Sequence, residues 1–109
     1  MSNIKVTNLP HQLFPVPGVT DRSLTVSTSV LALNGGGAFD DATSHVLLSF
    51  VDNDVRATFD GSDPSASNGH LYNGGTDPFF INIRTANVMN LIRAGGSDSV
   101  VHVSEFKMQ

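Results

Sequence analysis

The sequence predicts an all-β protein, an antiparallel β-sandwich of immunoglobulin-like or jelly-roll topology. Its 109 residues suffice for one domain with one core. The chain is rich in Val, Thr, Ser, Phe, Gly, Asn and Asp, which favour strands and turns, and only 15% of its residues are charged. Several short runs of alternating apolar and polar residues are separated by turn signals, a spacing that is typical of a sandwich.

The N-terminal part of the chain, residues 1–22, is predicted to be a proline-rich segment that precedes a β-sandwich domain at 23–109. Three of the five prolines lie in "NLPHQLFPVPGVTD", residues 8–21. Because proline lacks a backbone donor, this segment cannot be a central strand. It is either an irregular lead-in packed along the sandwich edge or an arm that reaches a neighbouring subunit. Its apolar anchors in either case are Leu9, Leu13, Phe14 and Val16.

The first half of the predicted domain contains three alternating runs. They are "SLTVSTSVLAL" at 23–33, "HVLLSFV" at 45–51 and "VRATF" at 55–59. The polar triplet "DND" at 52–54 is a tight turn between the second and third runs. The sequence therefore predicts that 45–51 and 55–59 pair as a β-hairpin.

The second half adds the strand "FFINIR" at 79–84 and the runs "VMNLIRA" at 88–94 and "SVVHVSEF" at 99–106. Gly95 and Gly96 supply turn residues between these two runs, which are predicted to form the last hairpin. No helix longer than about three turns is expected. The side chains predicted to face the core are Leu24, Val26, Val30, Val46, Leu48, Phe50, Val55, Ala57, Phe59, Phe79, Ile81 and Ile83.

The stretch "VRATFDGSDPSASNGH", residues 55–70, begins as a strand and breaks into turn-forming residues. Asp60 can cap the turn backbone, and Gly61 tolerates a positive φ. Pro64 holds the residue before it in an extended conformation. The sequence therefore predicts a structural corner at Asp60, Gly61 and Pro64, where the chain leaves one sheet and crosses to the other.

Oxygen-bearing side chains cluster around this corner, but they do not follow a metal-binding pattern. No register through them gives the ligand spacing of an EF-hand, and the only Glu in the chain is the distant Glu105. The residues in question are Asp52, Asn53, Asp54, Asp60 and Asp63. Because Asp and Asn are also common turn residues, no metal ligands are predicted.

Chemical activity is not predicted either. The four histidines and many serines occur without a G-x-S-x-G, H-E-x-x-H or P-loop motif, and there is no cysteine. The sequence therefore predicts no enzyme, no catalytic residue and no cofactor. A net charge of −4 with six scattered Lys and Arg argues against nucleic-acid binding. No apolar run approaches the ~18 residues of a membrane-spanning helix.

Two resemblances bear on function. "TFDGSDPSAS", 58–67, resembles the DGS-x-P corner of small immunoglobulin-like domains, including those appended to bacterial chitobiase-type enzymes. The longer pattern through 55–106, with "VRATFDGSDPSASNGHLYNGG", "FFINIR" and "VMNLIRAGGSDSVVHVSEF", is similar to small virion proteins of tailed bacteriophages. This resemblance covers roughly half the chain, and residues before 55 carry no such pattern.

The second resemblance implies a non-enzymatic virion structural protein, made in the host cytoplasm and placed on the capsid surface. We expect a capsid decoration (cement) protein whose partner is the major capsid protein or another virion protein. A head–tail or tail-associated component is the alternative within virions. A carbohydrate-binding module is the alternative from another class, but the chain has no Trp and only one Tyr, Tyr72, for stacking on sugars.

Some predicted strands carry apolar residues on both faces, whereas a sandwich core covers only one face of each strand. The second face must then be covered by a loop, by the proline-rich residues 8–21 or by another chain. The predicted assembly contacts are Leu13, Phe14, Leu47, Val51, Met89 and Leu91. They imply a homo-oligomer, such as a trimer, or a monomer that orders its N-terminal segment on the shell.

Overall fold

A computed structural model describes residues 12–108 and confirms an all-β sandwich of two antiparallel sheets. Strand accounts for 44% of the described residues and helix for 6%, so the prediction of no long helix is confirmed for residues 12–108. In chain order the elements are β1 Leu13–Pro15, β2 Arg22–Val26, β3 Leu31–Ala32, β4 His45–Phe50, β5 Val55–Thr58, β6 His70–Tyr72, β7 Phe79–Asn82, α1 Ile83–Val88, β8 Asn90–Arg93 and β9 Ser99–Met108.

The strand order is that of a jelly roll. In the five-stranded sheet, β9 lies between β4 and an edge shared by β1 and β2, and β7 lies outside β4. The four-stranded sheet has the order β3-β8-β5-β6. The pairs β2–β9, β3–β8, β4–β7 and β5–β6 are nested, as if one long hairpin had been rolled around the core. Of the two topologies expected, the jelly roll is therefore the one that forms.

The core lies between the two sheets and contains most of the predicted residues. Those buried are Val26, Val46, Leu48, Phe50, Val55 and Ala57, while Leu24, Phe59, Phe79, Ile81 and Ile83 pack against them partly buried. Val30 was predicted wrongly, since its side chain is 40% exposed. The bend between β2 and β3 shifts the alternation by one residue, so Leu33 enters the core. Further core residues that the pattern missed are Phe39, Ala86, Met89, Leu91, Val101 and Val103.

Both predicted hairpins are wrong. β4 and β9 belong to the five-stranded sheet, whereas β5 and β8 belong to the four-stranded sheet. The connections at 51–54 and 94–98 therefore cross from one sheet to the other. Asn53 lies in the first of these connections and has a positive φ of 54°, which helps the chain to turn there. Alternation fixes which face of a strand is buried, but it does not specify which strand lies alongside.

The segment predicted as a strand at 79–84 ends at Asn82, where a short helix begins. The Asn82 side chain accepts a hydrogen bond from the Thr85 backbone N–H at 2.9 Å, which caps α1. Helix α1 takes in Val88, so β8 starts only at Asn90. Within residues 12–108, no helix is both long and apolar enough to cross a membrane.

Strand β1 pairs with β9 and so belongs to the five-stranded sheet, while residues 16–21 connect it to β2 without forming a strand. Pro15 occupies an edge strand, where the missing backbone donor is tolerated. Val16 is buried, and its N–H donates to the Glu105 carbonyl at 3.0 Å. Leu9 and the rest of residues 1–11 lie outside the described residues, so the predicted arm and the boundary at 22 stay predictions.

Candidate assembly surface

The five-stranded sheet has a second apolar face, which points away from the core. Paired residues in antiparallel strands lie side by side on one face, and alternate residues point to opposite faces. Because Val46, Leu48, Val101 and Val103 face the core, their neighbours along β4 and β9 face outward. The apolar residues on this outward side, which we call the outer apolar face, are Leu13, Pro15, Leu47, Val51, Phe80, Val100, Phe106 and Met108.

The centre of the outer apolar face is a cross-strand aromatic pair. The rings of Phe80 on β7 and Phe106 on β9 meet edge to face, with centroids 5.0 Å apart and planes at 90°. They approach each other across β4, where Leu47 is the direct partner of Phe80. Phe80 remains 45% exposed despite this contact. Such a large half-exposed aromatic side chain offers apolar area to a partner.

The outer apolar face carries no formal charge. Along β1, β2, β4, β7 and β9, none of the outward residues is Asp, Glu, Lys or Arg; the polar ones are Ser23, Thr25, His45, Ser49, Asn82, His102 and Ser104. Every aspartate of the chain lies outside the strands, in connections and at strand ends. Depletion of charged residues is typical of the centre of a protein–protein interface.

The structure brings together three of the predicted contact residues and separates the other three. Leu13, Leu47 and Val51 lie on the outer apolar face. Phe14 is 40% exposed, but it is paired with Lys107 on the other side of the sheet. Met89 and Leu91 were predicted wrongly.

The error at Met89 and Leu91 has a simple cause. Their side chains are only 1% and 0% exposed, because the strand after α1 turns them toward the core. The sequence pattern assigned Met89 and Leu91 to the outward face, whereas Val88, which is 42% exposed, and Ile92, which pairs with Arg56, are the residues that face away from the core. Five contributors to the outer apolar face were overlooked, namely Pro15, Phe80, Val100, Phe106 and Met108. The signal for Phe80 was available, since it alternates with Phe79 and Ile81.

A buried ion pair joins β2 and β9 to the long connection before β4. The Glu105 carboxylate accepts hydrogen bonds from Asp40 N–H and Thr43 Oγ1, both at 2.7 Å. Arg22 Nη2 lies 3.4 Å from Glu105 Oε2, and the side chains of Arg22 and Glu105 are 15% and 3% exposed. Arg22 also donates to the Gly37 carbonyl at 2.6 Å. The carboxylate is thus occupied by donors from its own chain, and the cluster anchors the 33–44 connection.

The stretch 59–69 is the loop of a hairpin, since it joins the neighbouring strands β5 and β6 of one sheet. The predicted crossing between sheets at this place is therefore wrong. Asp60 Oδ1 accepts hydrogen bonds from the Ser62 backbone N–H at 3.0 Å and from Ser62 Oγ at 2.6 Å, and these bonds lower the pKa of Asp60. Gly61 has a φ of 86°, and Pro64 is buried.

In the part of the chain that the structure describes, the remaining polar side chains do not assemble into a metal cluster. Within residues 12–108, no three His, Cys, Asp or Glu side chains are grouped closely enough to hold a metal ion. His45 and His102 belong to the five-stranded sheet, whereas His70 belongs to the four-stranded sheet. Asp54 has a structural contact, since its Oδ1 accepts a hydrogen bond from the Gly74 backbone N–H at 3.2 Å.

Comparisons of the chain with protein-family models, with curated proteins and with solved structures gave no match.

Proposed function

We propose that the protein is a non-enzymatic structural component of the virion of a tailed bacteriophage, and specifically a capsid decoration protein. It is made in the host cytoplasm, and its partner is the major capsid protein of the assembled shell. The observation that carries this proposal is the outer apolar face, a continuous uncharged surface with the Phe80–Phe106 pair at its centre.

The chemistry of this surface suits attachment in many copies. Each copy gains from removing apolar side chains such as Phe80 and Leu47 from water, at roughly 25 cal/mol for every Å² buried. Modest contacts repeated around a shell give strong overall attachment through multivalency. The net charge of −4 disfavours contact with packaged nucleic acid.

The jelly roll is compatible with this role without specifying it. Double-sheet jelly rolls occur in viral coat domains and also in lectins, so fold alone favours neither class. The resemblance of residues 55–106 to small virion proteins supports the first class. Within virions, a head–tail or tail-associated position is the alternative, and it would use the same outer apolar face.

Attachment to purified phage particles tests the proposal. The labelled protein is sedimented with purified empty heads and, separately, with purified tails from the phage whose genome encodes it. Saturable co-sedimentation with heads supports a decoration protein, and binding only to tails supports the alternative position. If the protein binds neither heads nor tails, the proposal of a virion component is wrong. Light scattering on the free protein then measures whether it is a homo-oligomer, such as a trimer.

A further inference from the structure

The tip of the β5–β6 hairpin forms an open depression between the two arms of its loop. One arm runs from Thr58 to Ser62, and the other runs from Asn68 to His70. The residues that line the depression are Thr58, Phe59, Asp60, Ser62, Asn68, Gly69 and His70. This tip depression lies on the four-stranded sheet, so it belongs to a different layer of the sandwich from the outer apolar face.

The first arm of the loop is held in shape by side chains from the strands. Thr58 Oγ1 donates to the Ser62 carbonyl at 2.5 Å. The Asn90 amide on β8 donates to the carbonyls of Gly61 and Ser62 at 3.2 and 3.1 Å. The position of Asp60 between these anchored residues is therefore fixed before any ligand arrives.

The second arm is held in the same way. The Arg56 guanidinium on β5 donates to the carbonyls of Ala66 and Gly69 at 3.2 and 3.0 Å. Ser65 and Asn68 exchange two backbone hydrogen bonds. A loop ordered before binding loses little conformational entropy when a ligand arrives.

An aromatic row leads from the core to this tip. The imidazole of His70 stacks on the Phe59 ring with centroids 5.1 Å apart, and Phe59 meets the edge of Tyr72 at 6.5 Å. Tyr72 in turn stacks on Phe50 and on Phe79. His70 is exposed, so its ring is the solvent-facing end of a row that is anchored in the core.

We propose that the tip depression binds a neutral saccharide. The face of the His70 ring would take the C–H face of a pyranose, because the electron-rich face of an aromatic ring attracts polarised C–H groups. The sugar hydroxyls would donate to the Asp60 carboxylate and exchange hydrogen bonds with the Asn68 amide, which both donates and accepts.

The charges at the tip select against other ligands. The hydrogen bonds from Ser62 keep Asp60 ionised at neutral pH and occupy Oδ1, so Oδ2 is the oxygen that would accept from a ligand. A carboxylate at this position repels phosphates, nucleic acids and acidic sugars. This site does not rest on the proposed virion function, since it uses different residues in a different sheet.

A glycan array probed with the labelled full-length chain tests the proposal. We expect saturable binding to at least one neutral glycan. In calorimetric titrations with that glycan, His70→Ala and Asn68→Ala should each weaken the affinity at least tenfold. Leu71→Ala is the matched control, because Leu71 is exposed on the same strand but points to the opposite side. Unchanged melting temperatures would show that all three variants remain folded.

Three results would overturn the proposal. They are no saturable binding to any neutral glycan, binding confined to charged glycans, and an affinity that both tip variants leave unchanged. Head binding in the co-sedimentation experiment is independent of these outcomes. Saccharide binding without attachment to phage particles would instead favour a carbohydrate-binding module.

Discussion

The two sheets of the sandwich differ in what they expose to solvent. On the four-stranded sheet, the charged Arg56 lies between its outward partners Leu71 on β6 and Ile92 on β8 and so separates these apolar side chains. On the five-stranded sheet, the outer apolar face runs through Leu47, Phe80 and Phe106 with no charged residue among them. A core can use only one face of a sheet. The difference teaches that the uninterrupted apolar surface lies on the five-stranded sheet, and this is the surface that the proposed partner would contact.

The largest expected effect on the free energy of unfolding is the difference between a leucine that faces the core and a leucine that faces outward. Leu91 is fully buried in the four-stranded sheet, whereas Leu47 is half-buried on the outer apolar face. Leu91→Ala should lower the free energy of unfolding by about 2–5 kcal/mol through lost burial and a cavity. Leu47→Ala should lower it by about 1 kcal/mol or less, since part of its surface already contacts water. Urea unfolding measures both, and equal losses would contradict the assigned faces.

A second effect concerns the edge of the five-stranded sheet that anchors the 33–44 connection. Glu105→Ala leaves Arg22 without its buried partner and removes the acceptor for Asp40 N–H and Thr43 Oγ1. We expect a loss of roughly 3 kcal/mol in urea unfolding, at the lower end of the range because Arg22 keeps some contact with water. Glu105→Gln retains an oxygen acceptor and should lose less. If both variants match the parent protein, the buried ion pair does not anchor the connection.

A smaller effect is expected at the tip of the four-stranded sheet. Gly61 has a φ of 86°, and an added Cβ would meet no atom within 4 Å. Gly61→Val should therefore lower the free energy of unfolding by more than about 1 kcal/mol through backbone strain alone. Gly95→Val is the control, because Gly95 has an open surrounding and lacks the positive φ. Similar melting temperatures for the two variants would contradict this explanation, and neither change should affect attachment to heads.

The smallest effect is a pH dependence at the same tip. Hydrogen bonds from Ser62 lower the pKa of Asp60 in the folded protein. The stability that they contribute is therefore fully present above the ordinary pKa of Asp, about 3.9, and is lost as pH falls through the lowered value. Asp60→Asn should melt below the parent protein at pH 7, and the two should converge at acidic pH. A difference in melting temperature that does not change with pH would contradict the role of the ionised carboxylate.

Much of the fold could be predicted from local pattern, whereas the strand pairing could not. Alternation identified the buried sides of β4 and β5 because a half-buried strand shows its period within five or six residues. The alternation did not show that β4 and β5 lie in different sheets, since the sequence of a strand does not indicate which strand it pairs with. The error at Val30 has a similar origin. The bend after β2 changes which of two alternating residues faces the core, so Val30 points outward and Leu33 points inward.

The sequence predicted that a second apolar surface exists, but it predicted only some of the residues that form it. The surplus of apolar side chains on both faces indicated a second contact surface, and Leu47 was assigned to it. Phe106 could not be placed beside Phe80, because the two rings meet only when β4 lies between β7 and β9. The Arg22–Glu105 pair joins residues 83 positions apart, although an acidic residue in register with Val101 and Val103 was a usable signal for a buried partner.

The most direct test of the central claim places one negative charge on each outer face of the sandwich. Phe80→Asp alters the outer apolar face, and Leu71→Asp alters the four-stranded sheet; both side chains are nearly half exposed, at 45% and 48%. The two variants, checked for unchanged melting temperature, are titrated onto purified heads that lack the protein, and the bound copies are counted after sedimentation. We expect Phe80→Asp to lower occupancy at least tenfold at a fixed concentration and Leu71→Asp to bind like the parent protein. Equal occupancy for the two variants, or a selective loss in Leu71→Asp, would contradict attachment through the five-stranded sheet.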